Sequence, residues 1–275
     1  MLDNLFSLKN KVVIITGAAG LLGKQHAEIV AQAGGIPVLL DINQQLMEQI
    51  TQDMSKRYDV DITGWCIDIT DEAQIQENCK KLQDRYGYIY GLVNNAANNP
   101  KVENEDTSNF SRLENFPLDK WNDDISVGLT GAFLCAKHYG SAISLNPEGG
   151  CIVNISSDLG LIAPDQRIYH KKHLPNNKQP VKPITYSVTK TALIGMTKYI
   201  ATYWADHNVR CNAICPGGVD NHQDVEFIRD ITSRIPLGRL ANVDEYQGAL
   251  LFLLSNASSY VNGTTLVADG GRSVW

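Results

Sequence analysis

The sequence predicts an α/β fold, a doubly wound parallel sheet of seven strands with helices on both faces, and three observations carry that prediction. Short apolar blocks alternate with longer amphipathic stretches along the whole chain. The blocks are continuously hydrophobic, as strands are when neither face meets water. A glycine cluster, Thr16-Gly17-Ala18-Ala19-Gly20-Leu21-Leu22-Gly23, follows the first block and opens a helical stretch.

In chain order the strands are expected at Val12–Ile15, Ile36–Leu40, Ile62–Ile67, Ile89–Val93, Cys151–Ile155, Val209–Cys215 and Thr264–Val267. Helical periodicity places helices over Leu21–Gln32, Gln44–Tyr58, Asp71–Tyr86, Leu118–Leu145, Ile184–Asp206 and Asp244–Leu254. Asp71 and Asp244 stand where N-caps accept hydrogen bonds from the first turn. Two segments interrupt the rhythm. Ala97–Pro117 is polar and acidic and reads as a loop after the fourth strand. Ala163–Pro183 holds Pro164, Pro175, Pro180 and Pro183, too many prolines for one helix, and reads as a binding loop inserted on the substrate side. With no repeat or linker, residues 1–275 form one domain.

A balance of 24 basic against 30 acidic residues, net charge −6, argues against nucleic-acid and membrane-surface binding, both of which need a positive field. No N-terminal signal pattern and no membrane-length apolar run is present, so a cytoplasmic protein is expected. The six cysteines are scattered without a Cys-x-x-Cys pair, consistent with reduced thiols. No metal site is predicted, since His170 and His173 lack nearby acids or cysteines to complete one.

The glycine cluster lets the backbone turn tightly against a pyrophosphate, which the following helix N-terminus attracts through free N–H groups and its dipole. Gly17, Gly20, Leu22 and Gly23 are the expected contacts, in a Rossmann-type arrangement. Asp41 ends the second predicted strand 18 positions after Gly23, where a carboxylate accepts from the ribose hydroxyls and repels a 2′-phosphate. The expected cofactor is therefore NAD. Asp68 ends the third strand and reads either as an adenine neighbour beside Ile69 or as a turn residue or helix N-cap.

Tyr186-Ser-Val-Thr-Lys190 sets a phenol and an ammonium one helical turn apart on one face. A cation there favours phenolate, so the tyrosine pKa is expected to fall from about 10 toward the working pH, as proton exchange with a substrate hydroxyl requires.

Together with these residues, Asn94-Asn95-Ala96-Ala97, Val153-Asn154-Ile155-Ser156-Ser157 with Gly160, Cys215-Pro216-Gly217 and the tail Ala268-Asp269-Gly270-Gly271 make the chain resemble the short-chain dehydrogenase/reductase family over its whole length. The resemblance implies that Ser157 binds the reacting oxygen, Tyr186 acts as acid/base, and Lys190 lowers its pKa and binds ribose. It puts Asn94 and Ala96 beside the cofactor and Pro216, Gly217 and Val219 beside the nicotinamide, with Gly218 near the substrate. Ser156 competes for the serine role; the family's Ser-x-x-Gly spacing to Gly160 favours Ser157. Family members form dimers or tetramers through the long helices on either side of the fifth strand, which implies a homodimer or homotetramer.

The chain departs from the family in three places. Leu21 occupies the position of the middle glycine, with Gly20 one place earlier, a spacing familiar from the extended, sugar-nucleotide-modifying branch. Gly128 stands where the family offers an asparagine to a catalytic water; a side chain from the long loop or the substrate itself is expected to fill that space. Ser157 and Tyr186 are 29 positions apart, farther than in typical members, and the extra segment carries Arg167, Lys171, Lys172, Lys178 and Lys182 against the single acid Asp165. That segment reads either as a solvated loop or as the receptor for an anionic substrate, with Arg167 the expected bidentate contact. It also resembles flagellin-modification and surface-glycan oxidoreductases, which implies an anionic sugar, phosphorylated or nucleotide-linked. The expected activity is NAD-dependent hydride transfer between a secondary alcohol and its ketone. An NAD-retaining epimerase or dehydratase and a non-catalytic NAD-binding regulator are the alternatives.

Overall fold

The computed structural model describes residues 5–98 and 111–275. All seven expected strands form: β1 Val12–Thr16, β2 Ile36–Asp41, β3 Thr63–Cys66, β4 Gly91–Asn94, β5 Gly150–Ile155, β6 Val209–Pro216 and β7 Thr265–Ala268. They pair in the order β3-β2-β1-β4-β5-β6-β7, and every pairing is parallel. The helices are α1 Leu21–Gln32, α2 Gln44–Arg57, α3 Glu72–Tyr86, α4 over 118–144, α5 Ile184–Tyr203, α6 Val225–Thr232 and α7 Gln247–Leu254.

Alternation along each strand divides the core into two layers. Val12, Ile14, Val38, Leu40, Leu92 and Ile152 join Ile75, Leu82, Leu134, Tyr139 and Ile200 on one face of the sheet. Val13, Ile15, Leu39, Val93 and Val153 join Val30, Met47, Met54, Leu250 and Leu253 on the other. Both faces are covered, which is why β1, β4 and β5 are apolar at nearly every position. Strand order reverses between β1 and β4, so the cleft above their carboxyl ends is where an open α/β sheet binds ligands.

Four features differ from expectation, the first being that α7 starts at Gln247 after Tyr246, so Asp244 is not its N-cap and no side chain caps it. The long helix α4 is continuous but widens into π turns at Ser126–Gly131 and Ala136–Gly140. Helix α6 was not expected, although Asp224 caps it by accepting from Glu226 N and Phe227 N. The inserted segment is folded, not a solvated loop. Gln179, buried, ties it together by accepting from Lys171 N and donating to the Lys171 and Leu174 carbonyls. Ile168 packs with Ile231, Ile235 and Leu240, and the Tyr169 ring lies 5.7 Å from that of Phe227, so the insertion and α6 form one lobe. Of the expected loop Ala97–Pro117, residues 99–110 lie outside the described residues. Among the described residues no helix is long and apolar enough to cross a membrane.

Candidate active site

The glycine turn is built by close backbone approach. A Cβ on Gly23 would lie 2.1 Å from the Gly17 carbonyl oxygen, and one on Gly17, whose φ is +62°, would lie 2.7 Å from Ala96 Cα. Only hydrogen fits at either point. Asn95 clamps the turn from β4, donating through Nδ2 to the Thr16 and Gly17 carbonyls, while Thr16 Oγ1 accepts from the Asn95 and Ala96 amides. No side chain caps α1 at Gly20, so its first amides face the cleft as an anion cradle. Leu22 lies in that first turn, half-buried.

Asp41, at the carboxyl end of β2, is tied to the same turn: Oδ2 accepts from Ala19 N and Oδ1 from Asn43 N, both at 3.0 Å. Each oxygen keeps lone-pair capacity for a ribose hydroxyl. Asp68 is exposed and folds its own turn, with Oδ1 accepting from the Thr70 amide and hydroxyl; Ile69 beside it is buried against Gly131. Asn94 donates to Asn154 Oδ1 at 2.9 Å, and Asn154 passes the chain on to Thr197. Asn94 Oδ1 is buried without a partner in this network. At the end of β6, Gly217 N donates to the Ala268 carbonyl, and a Cβ there would meet Asp269 Cα at 2.7 Å. Gly218 is pressed against Leu240, and Val219 forms a parallel bridge with Ala241. These positions, with the cradle and Asp41, fit a nicotinamide dinucleotide laid over β1, β4 and β6.

β5 and α5 bring the catalytic candidates together. Lys190 is buried and donates through Nζ to the Ile155 carbonyl at 2.8 Å, with Nζ 5.8 Å from the centroid of the Tyr186 ring. Ser157 lies close enough to Tyr186 for its hydroxyl to act on the phenol, favouring ionisation. Ser156 is turned away and donates to the Lys190 carbonyl at 2.6 Å, so geometry favours Ser157 of the two serines. Gly160 permits that contact, because a Cβ on it would lie 2.8 Å from Ser156 Oγ.

The electrostatics correct one expectation. Burial raises the Tyr186 hydroxyl above the ordinary tyrosine value, with the nearby Ser157 hydroxyl working against it. Burial also pushes Lys190 down to about 8, and the neighbouring Lys182 adds to the effect. A half-desolvated phenol is not ionised by one ammonium across its ring when that ammonium is itself desolvated. A bound nicotinamide supplies the hydride-carrying carbon and, when oxidised, a positive charge.

Two further expectations are overturned on the substrate side. Arg167 does not reach the site: its side chain is 82% exposed, and its Nε and Nη2 both bind Asp165 at 2.8 Å. Asp165 also takes Arg234, and these arginines hold its carboxyl far below the usual range. The space beside Gly128 is taken by neighbouring helix α5. Thr189 Cγ2 on α5 stands 2.6 Å from where a Gly128 Cβ would be. The insertion instead contributes Lys182, whose Nζ lies 3.8 Å from the Tyr186 ring centroid and which burial pushes down to about 8. Lys182, Tyr186, Thr189, Lys190, Gly128 and Asp124 line a cavity of about 10 Å³, room for a single water. Sequence reading also missed Asn95, Asp158 and Arg272, of which only Asn95 carried a signal, its place in the Asn-Asn-Ala-Ala run.

A sheet with this reversal, a glycine cradle and a serine–tyrosine–lysine cluster above its carboxyl ends defines a nicotinamide-dependent oxidoreductase. The family model described as enoyl-(acyl carrier protein) reductase matches residues 17–273, and the chain belongs to the short-chain dehydrogenase/reductase family. It is 29% identical to an NAD-dependent glycerol dehydrogenase of Listeria innocua, covering 99% of this chain and 97% of that one. It is 30% identical to a 2-dehydro-3-deoxy-D-gluconate 5-dehydrogenase of Dickeya dadantii, with 98% of each covered. Among solved structures, a gluconate 5-dehydrogenase of Burkholderia cenocepacia in complex with NADP and tartrate superposes with a TM-score of 0.85 at 26% identity, covering 100% of both chains.

Proposed function

We propose that the protein is an NAD-dependent dehydrogenase that interconverts a secondary alcohol and its ketone in a polyhydroxylated, anionic metabolite such as a sugar acid or sugar phosphate. The convergence of Ser157, Tyr186 and Lys190 above the glycine cradle carries this reading. In it, Tyr186 exchanges the proton of the reacting hydroxyl, Ser157 holds that oxygen, and Lys190 anchors the cofactor ribose. NAD is preferred because the Asp41 carboxylate is held at the glycine turn, where a 2′-phosphate would meet its charge. The anionic substrate is supported by Lys182, a cation at the Tyr186 ring and on the cavity wall. Relatives named for gluconate and glycerol oxidation agree with a polyhydroxylated carbon chain. The exposed Phe133 on α4 and Tyr199 and Tyr203 on α5 support a homo-oligomer through those helices.

The test is nicotinamide absorbance on a panel of polyols, sugar acids and sugar phosphates, with NAD and NADP in parallel. Stoichiometric NADH formation that Tyr186→Phe lowers by about a hundredfold or more is expected for a general acid/base group. Turnover retained in that variant, or equal rates with NADP, would overturn the corresponding assignment.

A further inference from the structure

Among the described residues one ion pair has both side chains sealed from solvent: Arg272 Nη1 lies 2.7 Å from Asp158 Oδ2, with the two side chains 6% and 4% exposed. Arginine and aspartate are seldom buried so completely, and burial of a pair is weak evidence for stability alone. The reason here is local. Asp158 directly follows Ser157, whose Oγ donates to Asp158 Oδ1 at 2.8 Å. The Leu159 amide donates to the same carboxylate oxygen and to Ser157 Oγ. A serine hydroxyl has one proton to give. With that proton on Asp158 and the Leu159 amide on its oxygen, the Ser157 side chain is fixed in direction.

Arg272 reaches this point because the chain folds back after β7. Asp269 accepts from Gly271 N at 2.9 Å and Ser273 N at 2.8 Å, and Gly270 and Gly271 take φ values of +66° and +88°. The resulting turn buries Arg272 against the segment that carries Ser157.

The pair also sets charge. Tyr186 faces Lys182 and Lys190 as cations, Asp158 and, across the shared cavity, Asp124 as carboxylates, the Cys215 thiol, and the Ser157 and Tyr169 hydroxyls. Asp158 faces Arg272, Lys182, Cys215, Tyr169 and Tyr246. Its negative charge disfavours the Tyr186 phenolate, and Arg272 offsets that charge from the opposite oxygen.

We propose that Asp158 and Arg272 are positioning residues of the reaction: the buried pair fixes the direction of the Ser157 hydroxyl and sets the charge that Tyr186 experiences. The proposal rests on Tyr186 being the acid/base group. It distinguishes itself from a purely structural role by sign. Breaking the pair from the acid side leaves an extra cation near Tyr186, whereas breaking it from the basic side leaves an extra anion.

The measurement is the titration of Tyr186 in intact protein labelled at tyrosine Cζ, with its resonance assigned by its disappearance in Tyr186→Phe. Asp158→Asn is expected to lower the Tyr186 midpoint and Arg272→Met to raise it, each by about 1 pH unit. Arg272→Lys, and the charge-neutral double variant Asp158→Asn with Arg272→Met, should return the midpoint to within a few tenths of wild type. The double variant keeps the test alive if Arg272→Met alone fails to fold, since it leaves no uncompensated charge. Midpoints that move the same way in both single variants, or do not move in Asp158→Asn, overturn the proposal. Failure of the underlying reading appears separately, as turnover retained by Tyr186→Phe.

Discussion

In the proposed reading, single atoms of Asp41 and Gly23 decide cofactor binding. Asp41 is held by two backbone amides, so its carboxylate is fixed beside the glycine turn without help from a ligand. Asp41→Ser should reduce the ratio of kcat/KM with NAD to that with NADP by at least about tenfold, or 1.4 kcal/mol. An unchanged ratio would remove Asp41 from the preference. At Gly23 the constraint is steric. Gly23→Ala would drive a methyl into the Gly17 carbonyl, so NADH titrations followed by fluorescence should show affinity weakened by at least about tenfold, the result of displacing the cradle by a few tenths of an ångström. Arg167 gives the opposite lesson. A basic residue two positions from an acid was expected to be free for a ligand, and the acid took both arms of its guanidinium.

At the level of elements, the crossing of α4 and α5 explains the glycine at 128. Helix α4 widens into a π turn there, and the absence of a side chain lets Thr189 approach. Gly128→Asn should therefore destabilise the fold by about 1 to 3 kcal/mol through overpacking, read as a lower midpoint in urea. Shortening the partner tests the cause: Gly128→Ala should be better tolerated in a Thr189→Ser background than in wild type. Equal penalties in both backgrounds would show that the contact is not responsible. Helix α6 escaped detection because it is short and its apolar residues Phe227, Ile228 and Ile231 find partners only when the insertion lies beside them. Its signal was the N-cap Asp224 before them.

Across the whole molecule, pH reports on a residue far from the chemistry. His26 on α1 is fully buried, its Nδ1 has no partner, and burial pushes its pKa from 6.5 down to about 4. Between those values the unfolded chain binds a proton that the folded one does not. The contribution of His26 is complete above about pH 6.5 and declines toward pH 4, by about 1.4 kcal/mol for each pH unit. Urea unfolding at pH 7 and pH 5 should show a steeper loss in wild type than in His26→Gln, and parallel losses would refute the assignment.

Periodicity and punctuation determined the sheet, because a strand buried on both faces must be apolar throughout and a tight turn onto a phosphate must be glycine. All seven strands, the cradle, Asp41 and the Tyr186–Lys190 pair are local patterns of that kind, legible within windows of a few residues. What remained hidden depends on groups distant in sequence. Asp158 and Arg272 meet across 114 positions, and Asn154 meets Thr197 across 43. Whether Ser156 or Ser157 faces the tyrosine, which lysine lies over its ring, and whether its pKa rises or falls were likewise decided by packing. Charge and hydrogen-bond energies depend on burial and on the partner within a few ångströms, and only the tertiary structure supplies both.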